Sequence, residues 1–76
     1  MTQFTYMAIK VADEQEFNQV AEKLRGMGYY ANPDPFYSTW SKRKEFVIAT
    51  SFGFGLYSHS GTANPTRYTF NEFMQL

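Results

Sequence analysis

Apolar and polar side chains alternate at the beginning of the chain. Within residues 3–11, Met7, Ile9 and Val11 fall on one side of an extended backbone, and Tyr6, Ala8 and Lys10 fall on the other. A period of two is typical of a β-strand with one buried face. We therefore expect the first element to be a strand that contributes to the core.

The period becomes helical after Asp13. Asp13 followed by Glu16 is typical of a helix N-cap with a capping box. Five apolar residues then recur at helical spacing, namely Phe17, Val20, Ala21, Leu24 and Met27. They predict one apolar stripe of an amphipathic helix. Gly26 or Gly28 is placed to end this helix in a left-handed conformation, and Gly28 is preferred because Tyr29 follows it.

Two prolines interrupt the chain after the helix. Pro33 and Pro35 restrict the residues before them to extended conformations, so residues 32–35 are predicted to form a loop or an edge segment. Residues 36–40 have the aromatic and β-branched composition of a strand. An exposed turn at residues 41–44 is expected to lead into residues 45–50, whose continuous β-branched run predicts a central strand.

Glycine residues punctuate the next segment. Gly53 and Gly55 indicate either a hairpin turn or a strand that another segment approaches closely. Residues 56–59 are predicted to form a strand, and the composition of residues 60–65 is typical of a loop.

The last residues predict a short strand and a short helix. Residues 67–68 are expected to end a strand, and Thr69 with Glu72 forms a second capping box, which predicts helical turns over residues 70–75. The element order β-α-β-β-β-α predicts a single α+β domain, residues 1–76. We expect a small, mainly antiparallel sheet of three or four strands, covered on one face by one amphipathic helix, with a short C-terminal helical turn.

Aromatic residues are concentrated after Gly28. Fifteen of the 76 residues are aromatic, and twelve of these follow Gly28, where only four Leu, Ile or Val residues occur. Each buried ring removes about 150–250 Å² of surface from water, so rings can replace aliphatic residues in a small core. Five phenylalanines have the neighbours and spacing expected of such a core: Phe46, Phe52, Phe54, Phe70 and Phe73.

Charge and composition exclude several classes of protein. Seven acidic and seven basic residues give a net charge of zero, which argues against a strongly basic nucleic-acid binder and an acidic DNA mimic. The chain has no cysteine, which excludes disulfides and fits a reducing compartment. No apolar run approaches the roughly 20 residues that span a bilayer, and no signal peptide is recognisable. We therefore expect a cytoplasmic protein with no membrane partner.

No residue pattern predicts catalysis. The single histidine, His59, lies between Ser58 and Ser60, but neighbouring residues on a strand point to opposite faces and do not form a nucleophile–base pair. One imidazole without thiolates does not make a zinc site, and no glycine-rich phosphate loop is present. The prediction is a protein that is not an enzyme and that has no cofactor and no metal.

The tyrosines and the tryptophan are the candidate binding residues. A sheet with one covering helix leaves its second face available, and we expect Tyr6 and other hydroxyl- or indole-bearing rings there. Such side chains combine a large apolar body with a polar tip and dominate interface hot spots. The predicted protein-binding residues are Tyr30, Tyr37, Trp40, Tyr57 and Tyr68.

Single-stranded nucleic acid is the alternative partner. Residues 51–57 resemble part of the aromatic signature of RNA-recognition domains, whose spaced rings stack on bases. Thr50 stands where that signature has a basic residue, so the match is incomplete. The predicted nucleic-acid-binding residues are Lys42, Arg43, Lys44, Phe52 and Phe54, with Tyr57 as a further ring. A structural homodimer is a third hypothesis.

The overall pattern resembles that of many short proteins encoded by bacteriophages and other mobile elements. The resemblance consists of a strand, a capped helix that ends in Leu24-x-x-Met27-Gly28-Tyr29, hairpins, and a closing Thr69-x-x-Glu72-Phe73 turn. It implies a small accessory protein that binds and modulates, or inhibits, a host protein or a defence complex in the host cytoplasm. The resemblance assigns no functional residue.

Overall fold

A computed structural model describes residues 6–50, 53–59 and 66–76 of the chain. Its elements are β1 (Met7–Lys10), α1 (Glu14–Gly26), α2 (Pro35–Ser38), β2 (Phe46–Thr50), β3 (Gly53–Tyr57), β4 (Thr66–Tyr68) and α3 (Phe70–Met74). The four strands form one mixed sheet, and the fold is a small α+β fold as predicted. Phe52, one of the predicted core and binding rings, lies outside the described residues.

The strands are arranged in the order β3-β2-β1-β4. β1 pairs with β2 and β2 pairs with β3 in antiparallel fashion, whereas β1 pairs with β4 in parallel. The register places Lys10 opposite Phe46 and Phe46 opposite Tyr57. These three residues, which are far apart in sequence, therefore lie side by side at one end of the sheet.

The hydrophobic core lies between the sheet and α1. The apolar stripe of α1 contributes Phe17, Val20, Ala21 and Leu24, all of which are buried. The largest fully buried side chains are Phe73, Ile9, Leu24, Leu56, Val11, Val20 and Val47. We call the side of the sheet that carries Ile9, Val47 and Leu56 the core face, and the opposite side the open face. Of the described helices, α1 and α3 lie on the core face.

Local hydrogen bonds account for the ends of α1. The Asp13 carboxylate accepts from the Glu16 amide at 2.8 Å, and the Glu16 carboxylate accepts from the Ala12 amide at 3.0 Å. Gly28 has a φ of 102°, so the predicted left-handed residue follows the helix. Met27 departs from the prediction, because the helix ends at Gly26 and the Met27 side chain is 41% exposed.

The predicted strand at residues 36–40 is wrong, because α2 occupies this segment. Asp34 is its N-cap, and the carboxylate accepts from the Phe36 amide at 2.9 Å. Pro35 lies in the first turn, where its fixed φ suits a helix and its missing N–H has no partner to lose. Capping and proline geometry therefore outweigh the β-propensity of the aromatic residues.

The second capping box is confirmed in α3. Thr69 Oγ1 accepts from the Glu72 amide at 3.1 Å, and Glu72 Oε1 accepts from the Thr69 amide at 3.0 Å. Phe73 is fully buried. A hydrogen bond links α1 to α3, because Lys23 Nζ donates to the main-chain oxygen of Phe73 at 2.8 Å.

Candidate functional site

Aromatic side chains form a row at one end of the open face. We define this aromatic row as Tyr37, Tyr57 and Phe46. Phe46 and Tyr57 alternate with the core residues Val47 and Leu56 along their strands, so they project from the opposite side of the sheet. Phe46 was expected in the core, but it is half-buried on this open face.

The absence of a side chain at Gly55 lets α2 approach β3. A Cβ atom built on Gly55 would lie 2.8 Å from Tyr37 Cβ and 3.2 Å from the Tyr37 carbonyl oxygen. The close approach brings the Tyr37 ring to 4.8 Å from the Tyr57 ring. This is the second of the two predicted roles for Gly55, a strand position that another segment approaches closely.

Phe36 and Lys44 extend the row beyond Tyr37. Phe36 is 63% exposed, and its ring centroid lies 5.0 Å from that of Tyr37 in an edge-to-face arrangement. Lys44 Nζ lies 3.4 Å from the Phe36 ring centroid and donates to the Phe36 carbonyl oxygen at 2.6 Å. The ammonium therefore interacts with the ring face and fixes the end of α2 against the segment that precedes β2.

These side chains border a concave surface that encloses a volume of about 240 Å³. It is lined by Phe36, Tyr37, Lys44, Leu56, Tyr57, Ser58 and His59. His59 lies beyond the end of β3 with its ring centroid 6.3 Å from that of Tyr57. The lining combines ring surfaces with an ammonium, two phenols and an imidazole, a composition that can bury apolar side chains and donate hydrogen bonds.

The environment of Tyr57 favours the neutral phenol. Partial burial raises the pKa of Tyr57, and the neighbouring Tyr37 and Asp34 raise it further, whereas a hydrogen bond with Asn32 acts in the opposite direction. The hydroxyl, which is protonated at neutral pH in any tyrosine, therefore keeps its proton further into the alkaline range.

The charges of the chain are separated between its layers. The helices α1 and α3 with their N-caps carry five acids and two bases, whereas the other segments carry five bases and two acids. Lys10 and Lys44 border the row, and the exposed Lys42 and Arg43 form the turn before β2. Although the net charge is zero, the helix layer is therefore acidic and the region beside the aromatic row is basic.

The predicted protein-binding residues occupy three different places. Tyr37 and Tyr57 are brought together in the row, and Tyr30 is 63% exposed after α1. Trp40 and Tyr68 were expected on the open face, but they do not lie there. Trp40 packs near Phe17, at 6.3 Å between ring centroids, and Tyr68 packs near the buried Phe73 at 6.2 Å. Both are half-buried and pack against the hydrophobic core, and Tyr68 lies on the core face because it pairs with Ile9 of β1.

The predicted stacking site for nucleic acid is only partly assembled. Phe54 is 3% exposed and belongs to the core, so its ring is not available to stack on a base. Phe52 lies outside the described residues. Lys42 and Arg43 are exposed as predicted, and Lys44 instead lies against the Phe36 ring.

Sequence reasoning missed Phe36 and the position of Phe46. The signal for Phe36 is present in Asp34-Pro35, since an aspartate followed by proline is typical of N-cap and N1. It would have placed Phe36 and Tyr37 on adjacent positions of a helical turn. Phe46 offers no such signal, because its face depends on the register of β2.

Other kinds of site are not found in the described part of the chain. No group of three or more His, Cys, Asp or Glu residues there could hold a metal ion. None of the described helices is long and apolar enough to cross a membrane. No family model matches the sequence, and no curated protein or solved structure is found to be similar to it.

Proposed function

We propose that this chain is a non-enzymatic binding module that recognises a protein through the aromatic row. The observation that supports this function is the cluster of accessible rings at a concave surface, where Tyr37 and Tyr57 lie 4.8 Å apart beside the exposed Phe36. Following the resemblance to phage-encoded accessory proteins, the bound protein would be a host protein whose activity the chain modulates or inhibits.

Rigid positioning of the rings favours binding over a passive role. Tyr37 is seated against Gly55, and the Lys44 ammonium lies 3.4 Å from the Phe36 ring centroid. A ring that is already fixed loses little conformational entropy when a partner covers it. Exposed rings that are held in place in this way are therefore suited to act as interface anchors.

Capture from host lysate with matched variants tests this proposal. Tyr57→Ala should lower the recovery of a specific partner by roughly ten-fold or more, since anchor truncation removes about 2 kcal/mol of binding free energy. Tyr30→Ala is the control, because Tyr30 is equally a tyrosine, is 63% exposed and lies outside the row. Circular dichroism verifies that both variants fold. A partner that Tyr57→Ala retains and Tyr30→Ala loses would place the interface elsewhere.

Single-stranded nucleic acid remains the second candidate, and the exposed Lys42–Arg43 turn beside the row favours it. Basic residues next to rings can hold phosphates while bases stack. Fluorescence anisotropy with labelled oligothymidylate at low salt measures this activity. Saturable binding that weakens in Lys42→Gln/Arg43→Gln would support it, and no binding at high micromolar protein would exclude it.

A further inference from the structure

We propose that the aromatic row accepts an extended acidic segment of its protein partner, in which apolar residues lie between two carboxylates. This inference rests on the proposed protein-binding function and specifies the chemistry of the ligand. It is derived from the charges at the two ends of the row and from the length of the row.

A lysine lies at each end of the row. Lys44 Nζ lies 5.5 Å from the Tyr37 ring centroid. At the other end, Lys10 is exposed and pairs with Phe46 across the sheet. The acid that influences Tyr57 is Asp34, and its carboxylate already accepts the Phe36 amide as the α2 N-cap. Each end of the row therefore presents an ammonium group that can pair with a carboxylate on a partner.

The length of the row sets the spacing of these carboxylates. The Tyr37 and Tyr57 rings are 4.8 Å apart, and adjacent strands are separated by about 4.8 Å, so Tyr37 and Lys10 are roughly 14 Å apart across β3, β2 and β1. An extended peptide rises about 3.3 Å per residue and covers this distance in about four steps, that is, with about five residues. Alternate side chains of an extended peptide point to the same side, so two glutamates four positions apart both face the row, and the apolar residue midway between them lies against its three rings.

The same features argue against a second copy and against nucleic acid. A two-fold pairing of open faces would bring the lysines of one copy toward those of the other, and like charges oppose such contact. Base stacking needs free ring faces, but the Tyr37 and Tyr57 rings lie against each other and Lys44 covers a face of Phe36. A short acidic peptide needs ring edges and ammonium groups, and the row offers both.

Nuclear magnetic resonance titration of the full ¹⁵N-labelled chain tests the inference. The probes are acetylated, amidated Glu-Leu-Leu-Leu-Glu, the charge-reversed Lys-Leu-Leu-Leu-Lys, and oligothymidylate. We expect the glutamate peptide to shift the amides of Lys10, Phe46 and Tyr57. Lys10→Gln should weaken its binding about three-fold, the effect of one exposed ion pair. The matched control Lys42→Gln removes an exposed charge outside the row and should change the affinity less.

Each other outcome overturns the inference in a distinguishable way. Equal binding of the lysine peptide at the row would reject the acidic chemistry and leave the row as a protein-binding surface. Binding of oligothymidylate alone would reject both the acidic segment and the protein partner in favour of nucleic acid. If no probe shifts the row, the acidic segment is rejected, and lysate capture with the Tyr57 variant decides the proposed function separately. Concentration-dependent shifts at the row without any probe would identify a second copy as the occupant.

Discussion

Gly55→Ala is the most direct test of how the row is built. The added methyl group points to the open face and lies 2.8 Å from Tyr37 Cβ, whereas the shortest ordinary contact of such an atom is 3.4 Å. Tyr37 must therefore move by at least 0.6 Å. Its carbonyl oxygen is also close, at 3.2 Å, so the backbone of α2 has to move with the side chain.

The expected loss of stability follows from two opposing effects. Overpacking of a fitted contact costs about 1–3 kcal/mol, whereas replacing a strand glycine by alanine returns roughly 0.5–1 kcal/mol through the entropy of the unfolded chain. We expect a net loss of about 1–2 kcal/mol in the free energy of unfolding. For a domain of this size, each kcal/mol lowers the melting temperature by about 4–8 °C.

Urea and thermal denaturation followed by circular dichroism measure this loss. Gly26→Ala is the matched control, because Gly26 is the last residue of α1 and a Cβ atom there would meet no other atom within 4 Å. That variant should gain about 0.5–1 kcal/mol from helix propensity. A glycine-to-alanine substitution is thus predicted to lower the free energy of unfolding at position 55 and to raise it at position 26.

Two results would refute this account of the row. A Gly55→Ala variant as stable as the parent chain would mean that α2 is not seated against β3. A destabilised variant whose Tyr57 environment is unchanged would mean that Tyr37 does not move and that the strain is absorbed elsewhere. The near-ultraviolet circular dichroism of the tyrosines distinguishes the second case.

Two further predictions concern protonation and the attachment of α3. Because the folded state raises the pKa of Tyr57, it binds the phenolic proton more tightly than the unfolded chain, so this contribution to stability is present at neutral pH and is lost as alkaline pH rises through the raised pKa. Tyr57→Phe should reduce that alkaline loss in urea melts at several pH values, and an unchanged pH profile would contradict it. Lys23 Nζ donates to the main-chain oxygens of Phe73 and Leu76. Lys23→Met should therefore lower the free energy of unfolding by about 1 kcal/mol and speed hydrogen exchange of the α3 amides. Unchanged exchange in α3 would contradict this prediction.

Part of the fold is encoded in contacts between residues close in sequence. The caps of α1 and α3 join residues three or four positions apart, and the apolar stripe of α1 repeats within one helix. These elements were predicted because their hydrogen bonds and periodicity need no information about the rest of the chain. The same local logic covers α2, because the N-cap Asp34 and Pro35 in the first turn outweigh the strand composition of residues 36–40.

The aromatic row depends on contacts that only the tertiary structure supplies. It needs the register that places Lys10, Phe46 and Tyr57 side by side, and it needs Tyr37 to rest on Gly55. A shift of one residue in β2 would exchange Phe46 with Val47 and move the ring into the core, because successive side chains on a strand point to opposite faces. The sequence alone determined that this chain is an aromatic-rich α+β domain with two capped helices. Its tertiary structure decided which rings form the core and which remain available to a partner, since that division is set by strand pairing between distant segments.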